Sequence, residues 1–239
     1  MHDREYQIMS EVEDKHFWFV HKRRLIKHYL KKYCPEDKPR VFDSGCGTGR
    51  DIAYFENGVG MDISLRGLEL CRKECKNRIN GSVNEIPVKD ESFDIVLSMD
   101  VLQHRGIDED RTISEYHRIL SKNGILIMNL PAFDMLYSYH DFSVDTKHRY
   151  SRMEIKRLLK GRFEVTDMVF WNGFLFLPGG FARVLKSKLT GYKKESDVKS
   201  IGSLVNRLGK ILFKAEGFLT INRIMPAGFS ILTVARKRV

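Results

Sequence analysis

The chain has 239 residues, 42% hydrophobic and 30% charged, with 18 glycines and 6 prolines. That balance fits one well-filled globular domain and excludes collagen-like and wholly disordered classes. The formal charge of +10 is uneven, with residues 1–40 at +3, 41–150 at −5 and 151–239 at +12, so an anionic partner is expected at the last third.

Cys34, Cys46, Cys71 and Cys75 form no CxxC and no Cys/His ligand spacing, which argues for reduced thiols and against a zinc site or disulfide framework. The N-terminus lacks the apolar core of a signal peptide. The longest apolar run, residues 168–182, is interrupted by Asn172, Pro178, Gly179 and Gly180 and is too short to span a bilayer. A cytoplasmic location is expected, with association to a membrane surface left open.

Residues 10–34 read as one aromatic and basic helix, which the Pro-containing segment 34–39 breaks. A strand over 40–43 enters a glycine turn, and a helix over 50–56 follows. A strand over 58–62 and a helix over 65–76 come next. The apolar run 93–98 predicts a strand, and 109–120 a helix whose buried face is Ile113, Tyr116 and Leu120. Asn123-Gly124 turns into a strand over 125–130. Strands that alternate with helices and are nearly continuous apolar runs indicate a parallel sheet covered on both faces.

After residue 150 the rhythm changes. Ser151 and Glu154 have capping-box spacing at the start of a helix over 151–160. Strands are expected over 162–171 and 229–237. Residues 172–228, with 10 Lys/Arg against 3 Asp/Glu, read as a basic helical insertion joining neighbouring strands. The chain thus reads as one domain, with a cap (1–38), a core (39–171 and 229–239) and this insertion.

The densest chemical signal is Val41-Phe-Asp43-Ser44-Gly45-Cys46-Gly47-Thr-Gly49. A strand feeding a glycine turn lets a ligand approach bare backbone at the strand's carboxyl edge. Asp62 closes the next strand, where a carboxylate can accept both hydroxyls of a ribose. The turn is GxGxG with an acid before it, so Asp43 would repel a pyrophosphate and attract an ammonium. The Walker lysine is absent.

These residues resemble the class I S-adenosylmethionine-dependent methyltransferases. The match runs through Asp43–Gly49, Gly60-Met-Asp62-Ile63-Ser64 and Gly81-Ser82-Val83-Asn-Glu-Ile-Pro87. It continues through Ser92-Phe-Asp-Ile-Val96, Asp100-Val-Leu-Gln-His104 and His117–Gly124. The resemblance implies a Rossmann-like seven-stranded α/β sheet with helices on both faces, an N-terminal helical cap and a helical insertion before the last strand. It also implies S-adenosylmethionine as cofactor. Asp43 and the Ser44-Gly45-Cys46-Gly47…Gly49 backbone would hold its methionine part, Asp62 its ribose and Ile63 one face of its adenine. Ser82 and Val83 would reach the adenine edge, and Ser98 and Asp100 would line the methionine end. Many relatives have Asp where Ser82 stands, so Ser82 or Asn84 would take the adenine amino group here. The segment His16-Phe-Trp18-Phe19 resembles a helix capping the cofactor pocket. Trp18 and Phe19 could close over the sulfonium, and Arg23 or Arg24 could pair with the cofactor carboxylate. The alternative is an amphipathic helix that simply packs on the sheet.

An oxygen or nitrogen acceptor must lose a proton, which calls for a base. His104, His140 and His148 are the candidates, with Asp134, Tyr137, Tyr139 and Asp141 around the latter two. Ser98-Met-Asp-Val replaces the Asn-Pro-Pro-Tyr type of motif, which argues against methylation of nucleobase amines. In residues 201–214, Ile201, Leu204, Val205, Leu208, Ile211 and Leu212 form one helical stripe with Arg207, Lys210 and Lys214 off it. Such a stripe either packs on the protein's own lid or rests on an anionic membrane, together with Phe174, Leu175, Phe176, Lys186, Lys188, Lys193 and Lys194. His148-Arg-Tyr-Ser-Arg-Met-Glu-Ile-Lys-Arg-Leu-Leu159, the aromatic strand after it and Pro226-Ala-Gly-Phe-Ser230 resemble methyltransferases of the ubiquinone/menaquinone-biosynthesis type, which implies a small or lipid-linked acceptor. The alternatives are an RNA or protein methyltransferase, or a non-catalytic cofactor-binding scaffold; nucleic acid is the less favoured partner.

Overall fold

The apolar runs at the centre of the chain become adjacent, deeply buried strands in the computed structural model, which describes residues 3–34, 38–174, 176 and 202–239. Strands β1 (Val41–Ser44), β2 (Gly58–Asp62), β3 (Asn77–Asn80), β4 (Phe93–Met99), β5 (Leu120–Pro131), β6 (Phe163–Trp171) and β7 (Ser230–Lys237) form one sheet in the order β3-β2-β1-β4-β5-β7-β6. The first five pair in parallel. β7 runs antiparallel between β5 and β6. The strand order reverses between β1 and β4, and such a switch point opens a crevice at the strands' carboxyl ends.

Side chains alternate across the strands, so each face of the sheet has its own core. Phe42, Val96, Leu126 and Ile231 pack with Ile113 and Tyr116 of α4 (Glu109–Ile119) and with Ile155 and Leu159 of α6 (Arg152–Leu159). Val41, Ile95, Ile127 and Val234 pack with Leu25, Ile26 and Tyr29 of α2 (Phe17–Tyr33) and with Phe213 of α7 (Ser203–Ile221). The capping box at α6 is formed, with the Glu154 N–H donating to Ser151 Oγ and the Ser151 N–H donating to Glu154 Oε2.

Several elements differ from the sequence reading. The helix expected over 10–34 is two, α1 (Asp3–Val12) and α2. They part at Glu13–His16, where Glu13 and Asp14 turn to Thr48, Arg50 and Arg72, and His16 caps α2. The helix expected over 50–56 is a single 3-10 turn, Ile52–Tyr54. That expected over 65–76 shortens to α3 (Leu65–Glu69). The chain then bends so that the Cys71 and Cys75 thiols meet Cys46 beneath the glycine turn. Strand β3, Asn-Arg-Ile-Asn, is a polar edge strand that no apolar pattern announces. A short helix, α5 (Tyr139–Ser143), lies in the loop after β5.

Of the two readings of the apolar stripe, helix α7 does not follow the one in which the stripe packs on the protein itself. It meets α2 through Asn206, Gly209, Phe213 and Gly217. The Phe17 N–H donates to Asn206 Oδ1 at 2.8 Å, and Asn206 Nδ2 donates to the Lys15 carbonyl at 2.8 Å. Gly209 lies so close to the Phe17 ring that a Cβ there would sit 2.6 Å from it. The buried Glu216 accepts the N–H groups of Asn172 and Phe174. The apolar stripe from Leu204 to Leu212 therefore faces solvent. Phe174 packs on the core and Phe176 on Phe133 and Phe229, so both are half-buried against the protein. Leu175, Lys186, Lys188, Lys193, Lys194 and Ile201 lie outside the described residues. Among those described, no helix is long and apolar enough to cross a membrane.

Candidate active site

The glycine turn follows β1 into the crevice at the switch point. Gly47 and Gly49 both take positive φ, 55° and 69°. A Cβ on Gly49 would fall 2.0 Å from Cys71 Sγ, so packing demands that glycine. A Cβ on Gly47 would meet only α1 side chains at ordinary contact distance, the Tyr6 ring at 3.6 Å and Met9 Cε at 3.9 Å, which leaves its backbone bare toward the crevice. Asp62 ends β2 beside it. Its Oδ2 accepts the Gly47 N–H at 2.8 Å, while Oδ1 accepts the Ser64 N–H at 2.8 Å and the Tyr6 hydroxyl at 3.2 Å. Ile63, the next residue, is 75% exposed, an open apolar surface at the strand end.

Four charged groups converge at the β1–β4 end. Lys22 of α2 is buried, with Nζ 3.7 Å from Asp51 and 3.6 Å from Asp100, and it lies 5.2 Å from the centre of the Trp18 ring. Burial opposes its charge, but Asp51, Asp100 and Asp43 outweigh that and hold its pKa above the ordinary lysine range. Asp43 is 2% exposed, and burial, then repulsion by Asp51, push its carboxyl well above the usual range against the pull of Lys22. Asp100 is fixed at φ 61° by Asn129, whose Nδ2 donates to Asp100 Oδ1 at 2.6 Å. The Asn129 Oδ1 accepts Trp171 Nε1–H at 2.7 Å, and Trp171 lies 5.3 Å from Trp18.

Other expected ligands are placed differently. Arg24 is on the exposed face of α2, and Arg23 turns inward to donate to the Glu13 carbonyl. From Trp18, position 22 is one turn along the same face, whereas position 24 is a third of a turn round. That spacing was the signal for Lys22. The Ser44 and Ser98 hydroxyls both bond Tyr116 OH, at 2.7 and 3.0 Å, so their side chains anchor α4 and do not line the crevice. Cys46 faces the other two thiols, Val83 is in the core, and the Asn84 side chain is spent on Gly106, Asp108 and Thr112. Ser82 Oγ accepts the Asn84 N–H, which leaves its hydroxyl proton for another partner.

Sequence reasoning missed α1. Tyr6 covers Gly47 and reaches Asp62, and Glu13 Oε2 accepts the Thr48 hydroxyl at 2.7 Å. Its Oε1 is buried with no hydrogen-bond partner, and burial pushes the Glu13 carboxyl upward. Nothing in the spacing of α1 distinguishes Tyr6 from a residue packed for stability.

Of the three histidines, His104 and His148 lie on two loops joined by a short antiparallel bridge at His104–Thr146. His104 Nδ1 is buried without a hydrogen-bond partner, and burial lowers the ring's pKa despite Asp145 and Asp100. His148 lies against the Tyr150 ring, tilted 49° to it at 4.3 Å between centres, and 3.8 Å from Glu109. His140 is half-buried on α5. Asp141 binds Arg149 at 2.9 and 3.0 Å in a buried pair, and Asp134 accepts the Arg149 N–H. Both carboxylates brace the loop.

Residues 42–128 match the family model described as a methyltransferase domain. A protein of Methanocaldococcus jannaschii is 29% identical over 192 residues, spanning 78% of this chain and 82% of its own. The crystal structure of a SAM-dependent methyltransferase from Archaeoglobus fulgidus superposes with a TM-score of 0.55 at 20% identity, over 90% of this chain and 94% of that one. Another, from Thermotoga maritima, gives 0.58 at 20% identity over 98% and 99%. At that identity the structures share the fold. The domain match assigns residues 42–128 to a methyltransferase domain, of the kind found in class I S-adenosylmethionine-dependent enzymes. The protein is an enzyme, and S-adenosylmethionine is its cofactor. The residues present fit that group, because a bare glycine backbone, a carboxylate at the β2 end and a buried cation among three carboxylates complement a ribose and an amino-acid zwitterion.

Proposed function

We propose that the enzyme methylates an oxygen or nitrogen of a small or lipid-linked acceptor, as in the ubiquinone/menaquinone-biosynthesis type. When bound, S-adenosylmethionine supplies an electrophilic methyl group for in-line displacement. Asp62 would hold the ribose hydroxyls in place of the Tyr6 hydroxyl, Lys22 the carboxylate, and Asp43 with Asp100 the ammonium. Trp18 and Trp171 would keep water from the reacting atoms.

The observation that carries the acceptor reading is His104. It stands on the loop after β4, four residues from Asp100, and its lowered pKa leaves it neutral near pH 7 and able to take a proton. His148, held beside Glu109, and His140 are the secondary candidates. Extracts separated into lipid, small-molecule, RNA and protein fractions should show label from methyl-labelled cofactor in one of the first two. Label in RNA or protein would overturn the acceptor reading. His104→Gln should lower kcat by about 10²–10⁴-fold while cofactor affinity is kept.

A further inference from the structure

We propose that α7 is a docking surface for an anionic membrane, which brings the crevice to the lipid–water boundary. Leu204, Val205, Leu208, Ile211, Leu212 and Phe218 lie at i, i+1, i+4, i+7, i+8 and i+14, one face of the helix. All six are exposed, from 43% at Leu212 to 69% at Leu204. Ordinary amphipathic packing would bury that face. Here the opposite face, built from Asn206, Gly209, Phe213, Glu216, Gly217 and Thr220, meets the protein instead.

Charge selects the occupant. Arg207 and Lys214 are exposed and Lys210 is half-buried, all on one flank of the stripe. Glu216 is the only acid in α7, and it is fully buried. An apolar stripe flanked by cations, with no exposed acid, suits a bilayer that offers acyl chains beneath anionic headgroups. Asn206 ties the start of α7 to Lys15 and Phe17, beside Trp18 and Lys22 of the crevice. A helix lying in the interface would therefore set the crevice mouth next to lipid. This surface stands whether the acceptor is lipid-linked or water-soluble.

The test is co-sedimentation of the full chain with phosphatidylglycerol/phosphatidylcholine vesicles and with pure phosphatidylcholine vesicles, at low and high salt. Wild type should pellet with the anionic vesicles at low salt and be released as salt rises. Leu208→Ser/Ile211→Ser should bind at least about tenfold more weakly. Lys210→Gln/Lys214→Gln should lose about fivefold per charge and show a shallower salt dependence. Leu208, Ile211 and Lys214 are exposed and Lys210 is half-buried, and circular dichroism with cofactor calorimetry checks that the variants fold. Wild type left in the supernatant with anionic vesicles at low salt overturns the proposal, as does unchanged binding by the Ser variant. So does a dimer in sedimentation velocity that the Ser variant dissociates, because the face would then join two copies. Loss of vesicle binding with methylation of a soluble acceptor retained leaves the catalytic reading intact.

Discussion

Asp62 serves three donors at once, so its replacement should be felt twice. Asp62→Ala should weaken S-adenosylmethionine binding by about 1.5–3 kcal/mol, the scale of charge-assisted hydrogen bonds, and also loosen the turn that the Gly47 and Ser64 N–H groups anchor. Calorimetry on the folded variant reads the first effect and chemical denaturation the second; unchanged affinity would remove the ribose role. Gly47→Val should abolish cofactor binding while costing the free protein roughly 1–2 kcal/mol of backbone strain, since a Cβ there meets Tyr6 and Met9 only at ordinary contact distance. The thiols beneath the turn give a third outcome. Sharing a hydrogen bond with Cys46 pushes Cys71 up to about 12, and its bond to Cys71 raises Cys75 further. At pH 8 a thiol reagent should therefore modify Cys34 well ahead of Cys46, Cys71 and Cys75. Mass spectrometry before and after unfolding decides it, and equal rates in the native state would contradict the buried cluster.

At the scale of elements, α7 shows that an amphipathic pattern does not name which face turns inward. A helix is chosen by periodicity, but its orientation is chosen by what the neighbouring surface accepts. α2 offers the rings of Phe17 and His21; Phe213 packs against both, and Gly209 and Gly217 on either side of it let the two helices come close. Gly209→Leu should accordingly push α7 off α2 and cost about 1–3 kcal/mol in denaturant unfolding. Leu208→Ser, one position earlier, should change stability by no more than about 0.5 kcal/mol. The reverse ranking would mean that the apolar stripe is the buried face.

For the whole molecule, acid and base affect different joints. Burial, with Arg24 nearby, lowers His21 to about 4 where α2 meets α7, so the ring is neutral when folded. The unfolded chain binds that proton first, and stability falls as pH drops from about 6.5 toward 4, by roughly 3 kcal/mol in all. His21→Gln should flatten that limb of a stability–pH curve; an unaltered limb would show that His21 titrates normally. Asp43 acts in the opposite sense. Its raised carboxyl binds a proton more tightly in the folded state, so its contribution is lost as pH rises above the ordinary carboxylate range. An ionised Asp43 is what an ammonium requires, so cofactor affinity should increase over the same range. Calorimetry at a series of pH values, with Asp43→Asn as the flat control, checks the sign.

The sequence by itself determined the sheet's central strands, α4, α6 and the glycine turn, because each is set by local periodicity, capping or backbone bareness. Gly58–Asp62 was legible residue for residue, and the Asp43–Asp62 pair followed from strand-end spacing. Only the tertiary structure decided what depends on contacts between distant segments. Tyr6 and Glu13 reach the turn across more than thirty residues of chain. Lys22 was chosen over Arg24 by the face α2 turns to Asp51 and Asp100. Ser44 and Ser98 were claimed by Tyr116, and Asp141 by Arg149, because a buried polar group takes the partner that packing puts beside it. The outward stripe of α7 belongs to the same class of fact, since periodicity carries no information about the surface a helix will meet.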